Sequence, residues 1–152
     1  MHKEYITNLA DVKRKDYRYI KPITTGYVQI DTLLGGMYGG QLCIWTGYNG
    51  AGKSTILSNI ILNGIEAGEK TFAYSGELTK EEFKEWMDLQ LSGKQYLGEH
   101  YCEVKKQQLP IPNEKYFHLL DDFYADMMFL YDSDDYATDD EILKAMEYMT
   151  IS

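Results

Sequence analysis

Residues 47–54 constrain this chain more than any other part of its sequence. They read Gly47-Tyr48-Asn49-Gly50-Ala51-Gly52-Lys53-Ser54, which is the spacing G-x-x-x-x-G-K-S. Glycines let a main chain curl tightly enough to aim several N–H donors at the oxygens of a polyphosphate. A lysine at this place reaches the β- and γ-phosphates of a nucleoside triphosphate, and the serine hydroxyl binds Mg²⁺. The motif therefore predicts a nucleotide site, with Lys53 neutralising phosphate charge and Ser54 as a magnesium ligand.

The sequence on either side of the motif has the pattern that a phosphate-binding loop requires, a strand before it and a helix after it. Residues 41–46 form a short apolar, β-prone run between glycines, which predicts the first core strand. Behind the loop, apolar residues recur at helical spacing: Ile56, Leu57, Ile60, Ile61 and Ile65. A helix beginning at Lys53 would add the positive end of its dipole to the site. This context favours a nucleotide site over a chance glycine-rich turn.

The charge of the chain lies almost entirely in its second half. Residues 1–76 hold 8 Lys and Arg against 6 Asp and Glu, whereas residues 77–152 hold 7 against 18, for a net charge of −9. An acidic surface repels the phosphate backbone of a nucleic acid. The composition therefore argues against a stand-alone nucleic-acid binder, and any contact with DNA should come from elsewhere.

The number of cysteines and the hydropathy of the chain indicate in which compartment the protein acts. The chain has 2 cysteines, too few for a disulfide framework or a zinc site. We expect Cys43 to be an inert residue of the core strand and Cys102 to be a free thiol. No apolar run approaches membrane-spanning length, and the N-terminal residues lack the apolar centre of a signal peptide. These features predict a cytoplasmic protein without a membrane partner.

A chain of 152 residues suits one domain, here preceded by a basic arm. Residues 1–24 are polar and contain the cluster Lys13, Arg14, Lys15, Arg18 and Lys21. One interpretation is a solvated arm, and the other is a linker that docks on a neighbouring subunit. We assign the domain to residues 25–152, with a helical turn and a tight, glycine-paired loop leading into the strand at 41–46.

Strand signals recur after the predicted P-loop helix. Residues 71–75 are β-prone, and residues 127–131 form a continuous apolar run of the kind found in buried parallel strands. Residues 92–112 contain Gly93, Gly98, Pro110 and Pro112 and predict an irregular or weakly helical segment.

Helix signals alternate with these strands. Thr79 with Glu82, and Thr138 with Glu141, have the spacing of the capping box that begins a helix. Apolar residues from 116 to 123 predict another short helix. The alternation predicts an α/β fold, with a parallel sheet covered by helices.

Two acidic residues fall where a parallel sheet binds its ligand, at the carboxyl ends of strands. Glu77 follows the strand at 71–75 and could align and deprotonate an attacking water, or it could only favour the dipole of the next helix. Asp132 follows the apolar run at 127–131 and has the form of a Walker B aspartate, although Asp134 and Asp135 show that the whole loop is acidic. The histidines have no ligand or triad spacing.

Residues 25–79 resemble the RecA-type ATPase core, and within it the DnaB-like replicative helicases and phage primase-helicases. The lead-in of that family reads T-G-x-x-x-[LI]-D-x-L-x-G-G-[LM], and here Thr25-Gly26, Ile30-Asp31 and Leu34-Gly35-Gly36-Met37 match it. The strand after the P-loop ends in S-x-E-[ML] in the family and in Ser75-Gly76-Glu77-Leu78 here. The second half resembles the family more loosely, through Phe129 to Asp140 followed by Glu141-Ile142-Leu143.

The resemblance implies a three-layer P-loop NTPase (RecA-like) fold that binds ATP with Mg²⁺. It assigns catalytic roles to Glu77, which would activate water, and to Lys53, and lets Thr55 help hold the α-phosphate. It further implies a hexameric ring with ATP sites between subunits that moves on single-stranded DNA. In the family the Walker B strand comes after the element that contains Asp132, so we expect the domain to be incomplete at its C-terminal side and to bind nucleotide while hydrolysing it slowly.

Two other functions remain open on the sequence. One is a different RecA-type ATPase, clock-like or recombinase-like, with the same chemistry and another partner. The second is a nucleotide-binding adaptor without catalysis.

Overall fold

The computed structural model describes residues 7–14, 16–132 and 137–151. Lys15 of the basic cluster and Asp134 with Asp135 of the acidic loop lie outside them. Helices are α1 (Val28–Leu34), α2 (Lys53–Glu66), α3 (Lys80–Leu91), α4 (Phe117–Tyr124) and α5 (Asp139–Ile151), and strands are β1 (Thr71–Ala73), β2 (Leu97–Cys102), β3 (Gln107–Pro112) and β4 (Met128–Leu130). The α/β class is confirmed at this level, with a small parallel sheet and a separate antiparallel pair.

The parallel sheet joins two of the predicted strands. Strand β1 pairs with β4 in the register Thr71 to Met128 and Ala73 to Leu130. Backbone hydrogen bonds extend the pairing by one residue at each end, since Thr71 N–H donates to the Met127 carbonyl at 2.7 Å and Tyr131 N–H to the Ala73 carbonyl at 2.9 Å. The two carboxyl ends therefore lie side by side, as predicted.

Helix α2 packs against α3 and β1, and this contact contains most of the buried core. The buried apolar residues in the described part of the chain are Ile60, Leu62, Ile65, Ala73, Met87 and Leu120. A polar contact fixes the two helices relative to each other: the Trp86 indole N–H donates to the Ser58 hydroxyl at 2.9 Å, and this hydroxyl donates to the Ser54 carbonyl at 2.8 Å. Helix α3 is thereby connected to the first turn of α2.

The helix starts follow the capping signals. The Thr79 hydroxyl accepts a hydrogen bond from the Glu82 N–H at 3.3 Å, and the Glu82 carboxylate accepts one from the Thr79 N–H at 3.0 Å. At α5 the Glu141 carboxylate accepts hydrogen bonds from the N–H and the hydroxyl of Thr138. The predictions of these two helices and of the short helix at 116–123 are confirmed.

The prediction of an irregular segment at 92–112 was wrong. Strands β2 and β3 form an antiparallel hairpin in which Leu97 opposes Pro112 and Cys102 opposes Gln107. Proline cannot donate to a strand ladder, but a two-stranded hairpin has open edges that tolerate it. The turn at 103–106 has no glycine, and Lys106 adopts a left-handed backbone with φ of 51°. The usual sequence signals of a hairpin are therefore absent.

The predicted core strand at 41–46 was also wrong. These residues have no regular secondary structure, and Leu42 and Ile44 are 85% and 77% exposed. A strand requires a hydrogen-bonded neighbour, and β1 and β4 pair with each other. In the described ranges no backbone hydrogen bond joins residues 42–46 to another segment. Cys43, expected in the core, is consequently exposed.

Candidate nucleotide site

The loop before α2 has the conformation that its glycines allow. Gly50 and Gly52 have φ of +77° and +81°, the left-handed region that disfavours residues with a side chain. A Cβ atom at either position would meet nothing within 4 Å, so the space beside both glycines is open. Within the described loop 47–52, one backbone hydrogen bond forms, in which the Ala51 N–H donates to the Tyr48 carbonyl at 3.1 Å. The loop therefore leaves other backbone N–H groups for a ligand.

Lys53 is the first residue of α2, and its side chain folds back over the loop. The Nζ atom donates to the carbonyl oxygens of Gly47 and Tyr48, both at 2.9 Å. The first intrahelical bond runs from Ile56 N–H to the Gly52 carbonyl at 2.9 Å, so the N–H groups of the first turn have no acceptor within the helix. An ammonium and the positive end of a 14-residue helix thus lie together at the loop.

Ser54 and Thr55 occupy the first turn of α2. Ser54 is exposed, and Thr55 is half-buried. The Ser54 hydroxyl makes no hydrogen bond to another described residue, whereas the Thr55 carbonyl accepts one from the Asn59 side chain at 2.8 Å. Mg²⁺ at a nucleotide keeps several waters and takes one or two protein oxygens beside the phosphates. A single exposed hydroxyl at the helix start fits this requirement, and no group of three or more His, Cys, Asp or Glu side chains arranged to hold a metal occurs among the described residues.

Glu77 follows β1, the strand that comes directly after α2 in the chain. The 14 residues of α2 rise about 21 Å. The chain then reverses at 67–70, where Gly68 has φ of +88°, and β1 returns in contact with α2. Strand β1 ends at Ala73, and Glu77 follows its carboxyl end in the bend at 76–78 that precedes α3. The Glu77 side chain is exposed.

Asp132 follows the end of β4 and forms an ion pair with α3. Its two carboxylate oxygens accept hydrogen bonds from the Lys80 ammonium at 3.0 and 2.9 Å. Both side chains are about half exposed, at 58% and 48%. The contact connects the carboxyl end of the sheet to the helix that follows Glu77. It gives Asp132 a structural partner, and Asp132 belongs to no group of three or more potential metal ligands within the described ranges.

The lead-in residues have a structural role that sequence reasoning missed. The Asp31 carboxylate accepts hydrogen bonds from the Thr24 hydroxyl at 2.6 Å, the Thr25 N–H at 2.9 Å and the Thr25 hydroxyl at 2.8 Å. The Asn63 side chain of α2 donates to the Thr25 carbonyl at 2.9 Å. A Cβ at Gly26 would lie 1.9 Å from the Asn63 amide nitrogen. The Thr-Gly…Asp pattern therefore clamps α1 to α2.

The structure thus places Gly47 to Thr55 together at the start of α2, and it places Glu77 in the bend between β1 and α3. Two further side chains have structural roles that the sequence did not single out, the Asn63 amide near the far end of α2 and the Ser75 hydroxyl after β1. Asn63 is ten residues after Lys53 and has no motif of its own. Ser75 belongs to the matched signature Ser75-Gly76-Glu77-Leu78, a sequence signal that could have drawn attention to its side chain.

Comparison with known protein families, with curated proteins and with solved structures finds no match. None of the helices in the described part of the chain has the length and apolar character needed to cross a membrane.

Proposed function

We propose that this protein binds ATP with Mg²⁺ at residues 47–55 and hydrolyses it slowly. The observation that supports this best is the loop itself: left-handed glycines at 50 and 52, and the Lys53 ammonium held over the loop at the start of α2. Open N–H groups, a fixed cation and a helix dipole at one place match the charge of a polyphosphate. A glycine-rich turn that binds no ligand has no need to combine open N–H groups, a fixed cation and a helix dipole.

The proposed reaction is attack of water on the γ-phosphorus. The bond from the water oxygen to phosphorus forms while the bond to the β–γ bridging oxygen breaks, and its electron pair stays with ADP. Glu77 accepts a proton from the water and later releases it to solvent. Lys53 neutralises the negative charge on the β- and γ-phosphate oxygens.

In this proposal the Ser54 hydroxyl holds Mg²⁺ together with phosphate oxygens and waters. The ion supplies charge neutralisation at the β- and γ-phosphates. Thr55 and the N–H groups of the first turn of α2 hold the α-phosphate.

The resemblance of residues 25–79 to DnaB-like helicases supports a more specific proposal. In it the protein is the ATPase core of such a helicase, with a three-layer RecA-like fold. It would act in the cytoplasm as part of a hexamer that couples hydrolysis to movement on single-stranded DNA. The acidic second half is then turned away from the DNA, because like charges repel.

The test separates binding from hydrolysis. Titration calorimetry with a non-hydrolysable ATP analogue and Mg²⁺ measures binding, and we expect Lys53→Ala to weaken it about 10- to 100-fold, since a charge-assisted hydrogen bond contributes about 1.5–3 kcal/mol. The matched control is Lys94→Ala, which removes an exposed lysine from the short helical turn at Lys94–Tyr96, after α3. A wild-type chain that does not bind the analogue would overturn the proposal.

Hydrolysis is followed in single turnover, with protein in excess over ATP, with and without single-stranded DNA. We expect Glu77→Gln to keep analogue binding and to lose hydrolysis. Stimulation by DNA would support the helicase assignment. Hydrolysis that DNA does not stimulate would favour another RecA-type ATPase, and tight binding without any turnover would favour the adaptor.

A further inference from the structure

The turn between β1 and α3 is built around the Ser75 side chain. Its hydroxyl accepts hydrogen bonds from the Glu77 N–H at 3.3 Å and from the Leu78 N–H at 3.0 Å. Serine hydroxyls that accept from amides two and three residues ahead fix the backbone of a turn. Ser75 is half-buried, and both of its hydrogen bonds lie at the surface.

The same turn is held on its other side by the capping box of α3. Thr79 and Glu82 exchange hydrogen bonds at 3.0 and 3.3 Å. Behind the turn, a Cβ at Gly76 would lie 3.4 Å from the Tyr74 hydroxyl, so the Tyr74 ring lies close to the main chain there. The turn is thus held by Ser75 at its start and by the capping box at its end, while the Glu77 carboxylate remains exposed.

We propose that Ser75 is a positioning residue for Glu77. Its hydroxyl fixes the main chain of Glu77, so that the carboxylate is directed to the water that attacks the γ-phosphate. This inference rests on the proposed ATPase function. In this role the Ser75 oxygen accepts from two backbone amides, and Glu77 is the group that accepts the proton of the water. A misplacement of about 1 Å at a reacting group can lower a rate about 100-fold.

The main experiment compares Ser75→Ala with Ser75→Thr in single-turnover hydrolysis. We expect Ser75→Ala to lower the rate about 10- to 100-fold, with analogue affinity and thermal midpoint unchanged. Ser75→Thr keeps the hydroxyl and is expected to restore most of the rate. Ser92→Ala is the matched control, since the Ser92 hydroxyl is buried without a partner among the described residues.

A double-mutant comparison separates this inference from the function it rests on. In the Glu77→Gln background, Ser75→Ala is expected to cause no further loss, because the group it positions is already gone. Hydrolysis that depends on Glu77 but is unchanged by Ser75→Ala would overturn the positioning role and leave the ATPase proposal standing. If no hydrolysis depends on Glu77, both the positioning role of Ser75 and the catalytic role of Glu77 are overturned. Nucleotide binding is measured separately and is decided by its own titration.

Hydrogen exchange gives a readout that does not depend on turnover. Loss of the acceptor in Ser75→Ala is expected to speed exchange of the Glu77 and Leu78 amides, with exchange in α2 unchanged. Unchanged exchange at these two amides would also contradict the proposal.

Discussion

The Asp31 carboxylate satisfies three donors, and this hydrogen bonding changes its acidity. Its pKa lies below the ordinary value of an aspartate, first because of the Thr24 hydroxyl and then because of the N–H and hydroxyl of Thr25. A carboxylate that accepts several hydrogen bonds is stabilised in its charged form. The clamp between α1 and α2 therefore depends on an ionised Asp31.

This dependence predicts a pH effect on stability. Since the folded pKa is lowered, the contribution of Asp31 is fully present above the unfolded value of 3.8 and is lost as the pH falls through the lower folded value. Asp31→Asn should therefore be less stable than wild type at pH 7 and should lose less of its free energy of unfolding below about pH 4. Urea unfolding from pH 7 to pH 2.5 measures this, with Asp122→Asn as a control for the loss of one negative charge. Equal acid slopes in Asp31→Asn and wild type would contradict it.

At the scale of single residues, the sequence predicted local backbone conformation better than contacts between distant side chains. The glycines at 50 and 52 and Lys53 have positions fixed by a short motif, so their conformations could be predicted. Asn63 and Ser75 act through a neighbour that only the folded chain brings close, Thr25 for one and the Glu77 turn for the other. Their roles could not be read from spacing.

At the scale of elements, helices were easier to predict than strands. A capping box such as Thr79 with Glu82 is local, because donor and acceptor lie three residues apart. Strand status depends on a partner that lies far along the chain. Residues 41–46 have the composition of a strand and no ladder in the described ranges, whereas residues 97–112 have weak strand signals and pair with each other.

The ion pair between β4 and α3 leads to a prediction about Asp132. Exposed pairs contribute about 0–1 kcal/mol, and this pair has both side chains about half exposed. Asp132→Asn should therefore lower the free energy of unfolding by less than about 1 kcal/mol. It should also change the affinity for the Mg²⁺-bound analogue by less than about threefold, because Asp132 binds Lys80. Calorimetry over a series of Mg²⁺ concentrations measures this, with Asp122→Asn as the control. A magnesium-dependent loss of tenfold or more would make Asp132 a metal ligand of the Walker B kind.

At the scale of the molecule, the core is small for the apolar content of the chain. Hydrophobic residues make up 44% of the sequence, but several large ones around α1 and the loop before α2 are more than half exposed: Val28, Leu33, Leu34, Leu42 and Ile44. Exposed apolar groups and open strand edges favour association between copies. The parallel sheet of the described residues has two strands, and thus two such edges.

The exposed apolar residues at 41–46, before the loop that leads into α2, should therefore drive self-association. We expect the light-scattering mass of the wild type to rise above 17.6 kDa with concentration, and the double variant Leu42→Gln, Ile44→Gln to rise less. The free energy of unfolding should change by less than about 0.5 kcal/mol, because exposed side chains contribute little to the core. Leu9→Gln is the control, since Leu9 is 84% exposed in the basic arm. A double variant that associates like wild type would contradict the prediction, and one that unfolds would place residues 41–46 in a packed core. A wild type that forms a defined hexamer would instead show that this surface belongs to an ordered interface.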